Sequence, residues 1–239
     1  MRTVDLSADL GEGSPGEEEI WPLVNSANVA CGGHTGDATT MAAAVFLATR
    51  WKVKLGAHPS YPDRENFGRK SLALAPRDLR VSLVEQLTAL RNLAAAVGMT
   101  LTHVKPHGAL YNDAHHDTAR AATIAEALQE VDPSLALVCP DASAMARAAR
   151  ASGLIVIREA FADRRYAADG SLVSRSRPGS LLGVEEAADQ AALLVSDGVV
   201  VTERGTRVPV PFDTICIHAD MERAVDRLRA VQHRIQGAR

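Results

Sequence analysis

Short apolar runs alternate with longer amphipathic ones along the whole chain. The short runs predict strands at Val4–Asp9, Ser26–Cys31, Val53–His58, Leu101–Lys105, Ser134–Cys139, Leu154–Glu159 and Thr214–His218. Between them, apolar residues recur three and four apart, the spacing of one helical face. The clearest case is Leu79, Leu83, Leu87, Leu90, Ala94 and Val97, opened by Pro76 and closed by Gly98. Strands that alternate with helices pair in parallel, so the order predicts a β/α architecture. Two stretches fall outside the alternation. Phe161–Leu182 is long and polar, with Arg164, Arg165, Arg175 and Arg177 set against Asp163 and Asp169, and it is expected to fold over the site as a lid. Val199–Val210 places two β-rich runs around Glu203-Arg204-Gly205-Thr206 and reads as a hairpin.

The strands themselves are half polar. A parallel strand covered on both faces normally reads as a continuous apolar run. Here Asp5, Ser7 and Asp9 alternate with Val4, Leu6 and Ala8; Lys54, Gly56 and His58 with Val53, Leu55 and Ala57; His103 and Lys105 flank Val104; and Cys216 and His218 flank Ile217. Period-two alternation sends the apolar side outward to helices and the polar side to a shared interior. A closed or nearly closed barrel gives four such polar faces one place to meet, whereas an open sheet would gather them at a single switch point. The expected fold is therefore a parallel β/α barrel of seven strands. Its active site belongs at the C-terminal strand ends, where Asp9, His34, His58, His103, His107, Glu159 and His218 collect. Asp9, His58, His103 and His218 are expected to line one cavity.

Composition narrows the picture. At 239 residues the chain fits one barrel, so residues 1–239 are expected to form a single domain. A hydrophobic share of 46% with 23% charged residues excludes a disordered or fibrous chain. The net charge of −3 leaves no electrostatic footprint for nucleic acid or an anionic membrane. Three cysteines (Cys31, Cys139 and Cys216) do not make a disulfide framework and suit a reducing compartment. Asp5, Asp9 and Glu12 interrupt any apolar leader, and a cytoplasmic location is expected.

Several residues have plainer roles. Asp37 follows Gly36 and precedes a helical run, which suits a helix cap. His115 and His116 are expected on a solvated loop, and Cys31 and Cys216 as small core residues. Gly11-Glu12-Gly13-Ser14-Pro15-Gly16 matches a dinucleotide-binding pattern, but Glu17, Glu18 and Glu19 then occupy the helix start where a pyrophosphate would sit. No Gly-Lys pair exists to form a phosphate loop.

The runs Asp5-Leu6-Ser7-Ala8-Asp9-Leu10-Gly11-Glu12, Ser26 to His34, Gly56 to Arg69, His103 to Tyr111 and Phe161-Ala162-Asp163-Arg164 resemble the LamB/YcsF family across nearly the whole chain. The resemblance implies an incomplete barrel related to polysaccharide deacetylases. It also implies the activity characterised for the family, that of the first (A) component of an ATP-dependent 5-oxoprolinase, a cyclic-amide hydrolase that works with subunits B and C. ATP, with Mg, would be the co-substrate. The chain departs from the family at Ser7, Gly33 and Ala219; Ala219 would matter if its backbone needs a positive φ. A deacetylase-type metal needs an acid and a histidine pair four apart. Pro62 stands four after His58, and Pro106 interrupts His103 and His107, so no metal ligands are assigned and a bound metal stays open.

Opening an unstrained lactam with ATP calls for phosphorylating its oxygen, which makes the ring carbon an electrophile for water. That chemistry needs a carboxylate anchor, cations for phosphate and a base. The catalytic candidates are Asp9, His58, His103, Lys105 and His107. Asn28, His34, Arg64, Arg69, Tyr111, Glu159, Arg164 and His218 are the candidates for holding substrate. A metal-dependent deacetylase of N-acetyl sugars and a non-catalytic subunit that binds a small acid remain the alternatives.

Overall fold

A computed structural model describes residues 4–237. Within these residues, nine strands and seven α-helices follow in the order β1 (Asp5–Leu10), β2 (Ser26–Ala30), α1 (Ala38–Trp51), β3 (Lys54–His58), α2 (Pro76–Ala96), β4 (Leu101–Val104), α3 (Gly108–His116), α4 (Thr118–Val131), β5 (Ala136–Cys139), α5 (Ala144–Ala151), β6 (Val156–Phe161), α6 (Val184–Asp197), β7 (Val199–Val201), β8 (Arg207–Pro209), β9 (Thr214–Cys216) and α7 (Ala224–Gly237). Strands β1 to β6 pair in parallel in sequence order, and β9 pairs in parallel with both β6 and β1. The barrel is thus closed on seven strands. The incompleteness expected from the family lies in the missing eighth strand and leaves no gap. Each expected strand is present, and the expected hairpin is the antiparallel pair β7–β8 outside the barrel.

Boundaries moved where local hydrogen bonds compete with the ladder. The run expected from Leu154 begins two residues later, because the Leu154 N–H bonds the Ala149 carbonyl at the end of α5 (2.9 Å). His218 leaves β9 because its N–H donates to the Asp163 carboxylate (2.7 Å). Ala219, the concern raised by the family pattern, is buried and is not among the residues with positive φ, so its methyl fits.

The core lies between barrel and helices. Leu6, Ala8 and Leu10 point outward from β1, and α2 covers its side of the barrel with Leu79, Leu83, Leu87, Leu90 and Ala94, all essentially buried. Gln86, on the same face, is the polar exception. Its amide accepts from the Ser60 N–H (3.0 Å) and donates to the Ser60 carbonyl (2.9 Å), tying the loop after β3 to the helix. Asp37 caps α1 as expected, exchanging hydrogen bonds with Thr40 in a capping box. The glycine-rich turn after β1 does cradle an anion, but an internal one. The N–H groups of Gly11, Glu12, Gly13 and Ser14 all bond the Glu17 carboxylate, which fills the place a phosphate would take.

Candidate active site

A cavity of about 850 Å³ opens at the C-terminal ends of the strands. Lys105, just beyond β4, crosses its floor. The ammonium sits 2.9 Å from Asp9 Oδ1 on β1, 2.8 Å from Glu159 Oε1 on β6 and 3.1 Å from Cys216 Sγ on β9. Burial pulls the lysine pKa down, but Asp9, Cys216 and Glu159 outweigh it and hold the ammonium well above its ordinary value. Burial likewise works against the Asp9 carboxylate, yet neighbouring His58 and Lys105 keep it well below the ordinary range. Burial brings His58 itself down to about 3, so at neutral pH it carries no charge and Lys105 is the cation that keeps Asp9 ionised. The other Glu159 oxygen accepts from the Tyr111 hydroxyl (2.7 Å), whose pKa burial and Glu159 push well up.

One wall carries an Asp–His pair. His218 Nδ1 lies 3.0 Å from Asp163 Oδ1, and the ring stacks on Phe161. This leaves Nε2 as the free nitrogen at the cavity. Burial disfavours the Asp163 carboxylate, but its hydrogen bonds and charge contact with His218 bring it to about 2. The strap 161–182 closes the same side. Its start is held by Gln190 of α6, which donates to the carbonyls of Phe161 and Arg164 (2.8 Å each). Further along, Arg165 pairs with Glu186 and Arg175 with Asp220. The expected lid is therefore pinned by the protein's own side chains. Arg164 is buried at the cavity wall; its guanidinium donates to the Val173 carbonyl (2.7 Å), and its Nε has no hydrogen-bond partner among the described residues. Among the described residues no carboxylate lies within ion-pair distance of it. Burial, with Arg175 nearby, lowers its pKa.

On the opposite wall four side chains converge, His58 from the end of β3 and Glu12, His34 and His107 from the loops after β1, β2 and β4, and their ligand-type atoms all lie within 4.8 Å of one another. His58 Nδ1 bonds the Lys105 carbonyl (2.7 Å) and His107 Nε2 bonds the Phe67 carbonyl (3.0 Å). Phe67 stands at φ 54°, a left-handed conformation uncommon for an aromatic residue, and it is this carbonyl that receives the His107 N–H. Burial lowers the pKa of His107 and raises that of Glu12. Helical spacing could not reveal this cluster, because its members come from one strand end and three different loops.

The structure redistributes several expected residues. His103 does not line this cavity. It lies beneath Asn28, which donates to Asp9 (2.9 Å) and accepts from His103 Nε2 (3.0 Å), and it faces a second cavity of about 380 Å³ at the other end of the barrel. Asn28 lines that lower cavity too. A side chain at Gly56 would collide with the His103 ring, its Cβ falling 2.1 Å from Nε2, so this glycine makes the room. Arg64 turns away to the carbonyls of Gly32 and Gly36 (3.0 and 2.7 Å), as a brace for the loop after β2. Arg69 sits at the rim on Asp220. His115 and His116 end α3 at the cavity edge and are not on a loop. Cys31 and Cys216 are buried core residues as expected, as is Cys139, and the Cys216 sulfur also accepts from the Lys105 ammonium. Arg175, a candidate clamp for the substrate carboxylate, is held by Asp220, and Glu12 and Asp163 received no role from sequence, although Asp163 lay in full view two residues past the Phe161 strand end.

Comparison with known proteins places this geometry. The model of the LamB/YcsF family matches residues 4–239. A protein of Methylococcus capsulatus named as the A component of 5-oxoprolinase is 48% identical over 225 residues, covering 92% of this chain and 86% of that one. Its namesake in Histophilus somni is 46% identical, covering 94% and 92%. The crystal structure of a lactam utilization protein from Thermus thermophilus superposes with a TM-score of 0.92 at 42% identity, over 99% of this chain and 97% of that one. No helix among the described residues is long and apolar enough to cross a membrane.

Proposed function

Since this chain belongs to the LamB/YcsF family, we propose that it is the lactam-binding component of an ATP-dependent 5-oxoprolinase. It opens 5-oxo-L-proline to L-glutamate together with partner subunits B and C, ATP being cleaved to ADP and phosphate. The observation that carries this reading is the pairing of a dry ammonium, Lys105 between Asp9 and Glu159, with a buried guanidinium, Arg164, that has no carboxylate in ion-pair contact among the described residues. A small acid with a reacting carbonyl needs both. Arg164 takes the substrate carboxylate as a planar fork. The lactam oxygen lies toward Lys105, whose charge meets the phosphoryl group transferred from ATP. His218 Nε2 removes a proton from the attacking water, and Asp163 fixes the tautomer that leaves this nitrogen free. Water adds to the ring carbon of the phosphorylated lactam, the ring C–N bond breaks as the nitrogen takes up the proton held by His218, and a second water hydrolyses the resulting acyl phosphate to release phosphate and glutamate. Asp9 and Glu159 keep Lys105 charged and placed.

The test combines this chain with subunits B and C, supplies 5-oxoproline and ATP, and measures glutamate and ADP together. Stoichiometric formation of both that requires this chain supports the proposal. Full turnover by B and C without it, or acetate release from an N-acetyl sugar by this chain alone, overturns it.

A further inference from the structure

We propose that Glu12, His34, His58 and His107 bind one divalent transition-metal ion, of which Zn²⁺ is the best match, at the wall of the reaction cavity. The first support is the hydrogen bonding of two rings. A backbone carbonyl only accepts, so His58 must carry its proton on Nδ1, facing the Lys105 carbonyl, and His107 on Nε2, facing that of Phe67. The remaining nitrogens, His58 Nε2 and His107 Nδ1, then present lone pairs to each other across 3.0 Å. Two acceptors at that distance repel unless a cation lies between them. Backbone carbonyls on the far nitrogens are also the outer contacts that orient imidazole ligands in metal sites.

The second support is the spacing of the donors. Four ligands at zinc distances of about 2.0–2.1 Å in a tetrahedron lie about 3.4 Å from one another. Here Glu12 Oε1 is 3.0 Å from His34 Nε2, 3.5 Å from His107 Nδ1 and 3.9 Å from His58 Nε2, and the His58–His107 edge is 3.0 Å. The His34 ring, stacked at 3.7 Å on His107, lies within the same donor group. Three imidazoles and one carboxylate form a nitrogen-rich set suited to Zn²⁺ and poorly suited to Mg²⁺ or Ca²⁺. Because the ligands sit at or just beyond the ends of four successive strands, the ion would staple half of the barrel rim together. It would also place positive charge beside Asp9, which lies 3.4 Å from His58 Nε2. The inference does not depend on the identity of the substrate.

The full chain, stripped with a chelator and dialysed, should bind one equivalent of Zn²⁺ in titration calorimetry, with Kd below about 1 μM. With Co²⁺ it should give the intense visible absorption of a tetrahedral site. His58→Ala and His107→Ala, checked for folding by circular dichroism, should each weaken Zn²⁺ by at least about 100-fold, and the near-isosteric Glu12→Gln should weaken it as well. The His115→Ala/His116→Ala pair should bind as the parent does. Absence of stoichiometric uptake by the parent chain, a weak octahedral Co²⁺ spectrum, or affinity that follows His115 and His116 would each overturn the proposal. The Co²⁺ spectrum of the parent chain decides the matter even if a histidine variant does not fold.

Discussion

The two mouths of the barrel hold the same kinds of residue in different water. At the upper mouth Lys105 is only 3% exposed and lies between two carboxylates, Asp9 and Glu159. At the lower mouth Lys54, 63% exposed, reaches Asp5 at 3.2 Å. Each mouth also has histidine, and Asn28 forms the partition by bonding Asp9 above and His103 below. Strand alternation produces both ends equally. What separates them is burial: a charge pair in a dry site interacts several-fold more strongly than one in water, and its charge is available to a reaction without solvent rearrangement. An Asp–Lys–His set is therefore poised for chemistry only where the fold excludes water from it.

Replacing the lysines separates the two mouths most strongly. Lys105→Met should lower coupled glutamate formation by at least about 10³-fold. Because it leaves Asp9 and Glu159 buried without their cation, it should also cost about 3–5 kcal/mol in denaturant unfolding. Turnover close to that of the parent would remove Lys105 from the reaction. Asp163→Asn sharpens the upper site next: it keeps shape but loses control of the His218 tautomer, so kcat should fall about 10²–10⁴-fold with KM little changed. A change confined to KM would mean that His218 binds and does not act as the base.

Arg164→Met should raise KM for 5-oxoproline about 100-fold, with Arg164→Lys recovering part of it; an unmoved KM would place the carboxylate elsewhere. The lower mouth answers to pH. Burial brings His103 down to about 4, so between pH 6.5 and 4 the unfolded chain takes up a proton there that the folded chain refuses. Falling pH therefore removes stability across that window, by up to about 3 kcal/mol from this residue. His103→Gln should show a shallower loss than the parent chain in unfolding curves at pH 6.5 and 4. Identical slopes would mean that the fold relieves His103 in some other way. Lys54→Met is the smallest effect: less than about 0.5 kcal/mol, with turnover unchanged. A large loss of turnover there would erase the distinction between the mouths.

How far the site was legible differs residue by residue. Asp9, Lys105 and His218 could be read because each ends an expected strand whose inward face was already polar, and Glu159 because it is the acid that closes the apolar run from Leu154. His103 was misplaced because alternation assigns a side chain to the interior without fixing its height. It stands two residues before Lys105, and that step is about 6.6 Å along a strand, enough to drop it below Asn28. Arg64 and Arg164 look alike in sequence as arginines in polar loops. One braces two carbonyls and the other meets the cavity, a difference set by where each loop returns.

The alternation of apolar and polar positions by itself determined seven parallel strands, four of them polar on the inward face, and the helices that cover them, because a period of two or 3.6 is a local property of the backbone. Tertiary structure alone decided that Glu12, His34, His58 and His107 meet, that Asp163 orients His218, and that Glu17 fills the glycine-rich turn. Those contacts join residues whose separation along the chain says nothing of their distance in space. They arise only when the barrel closes and brings its loops to one rim.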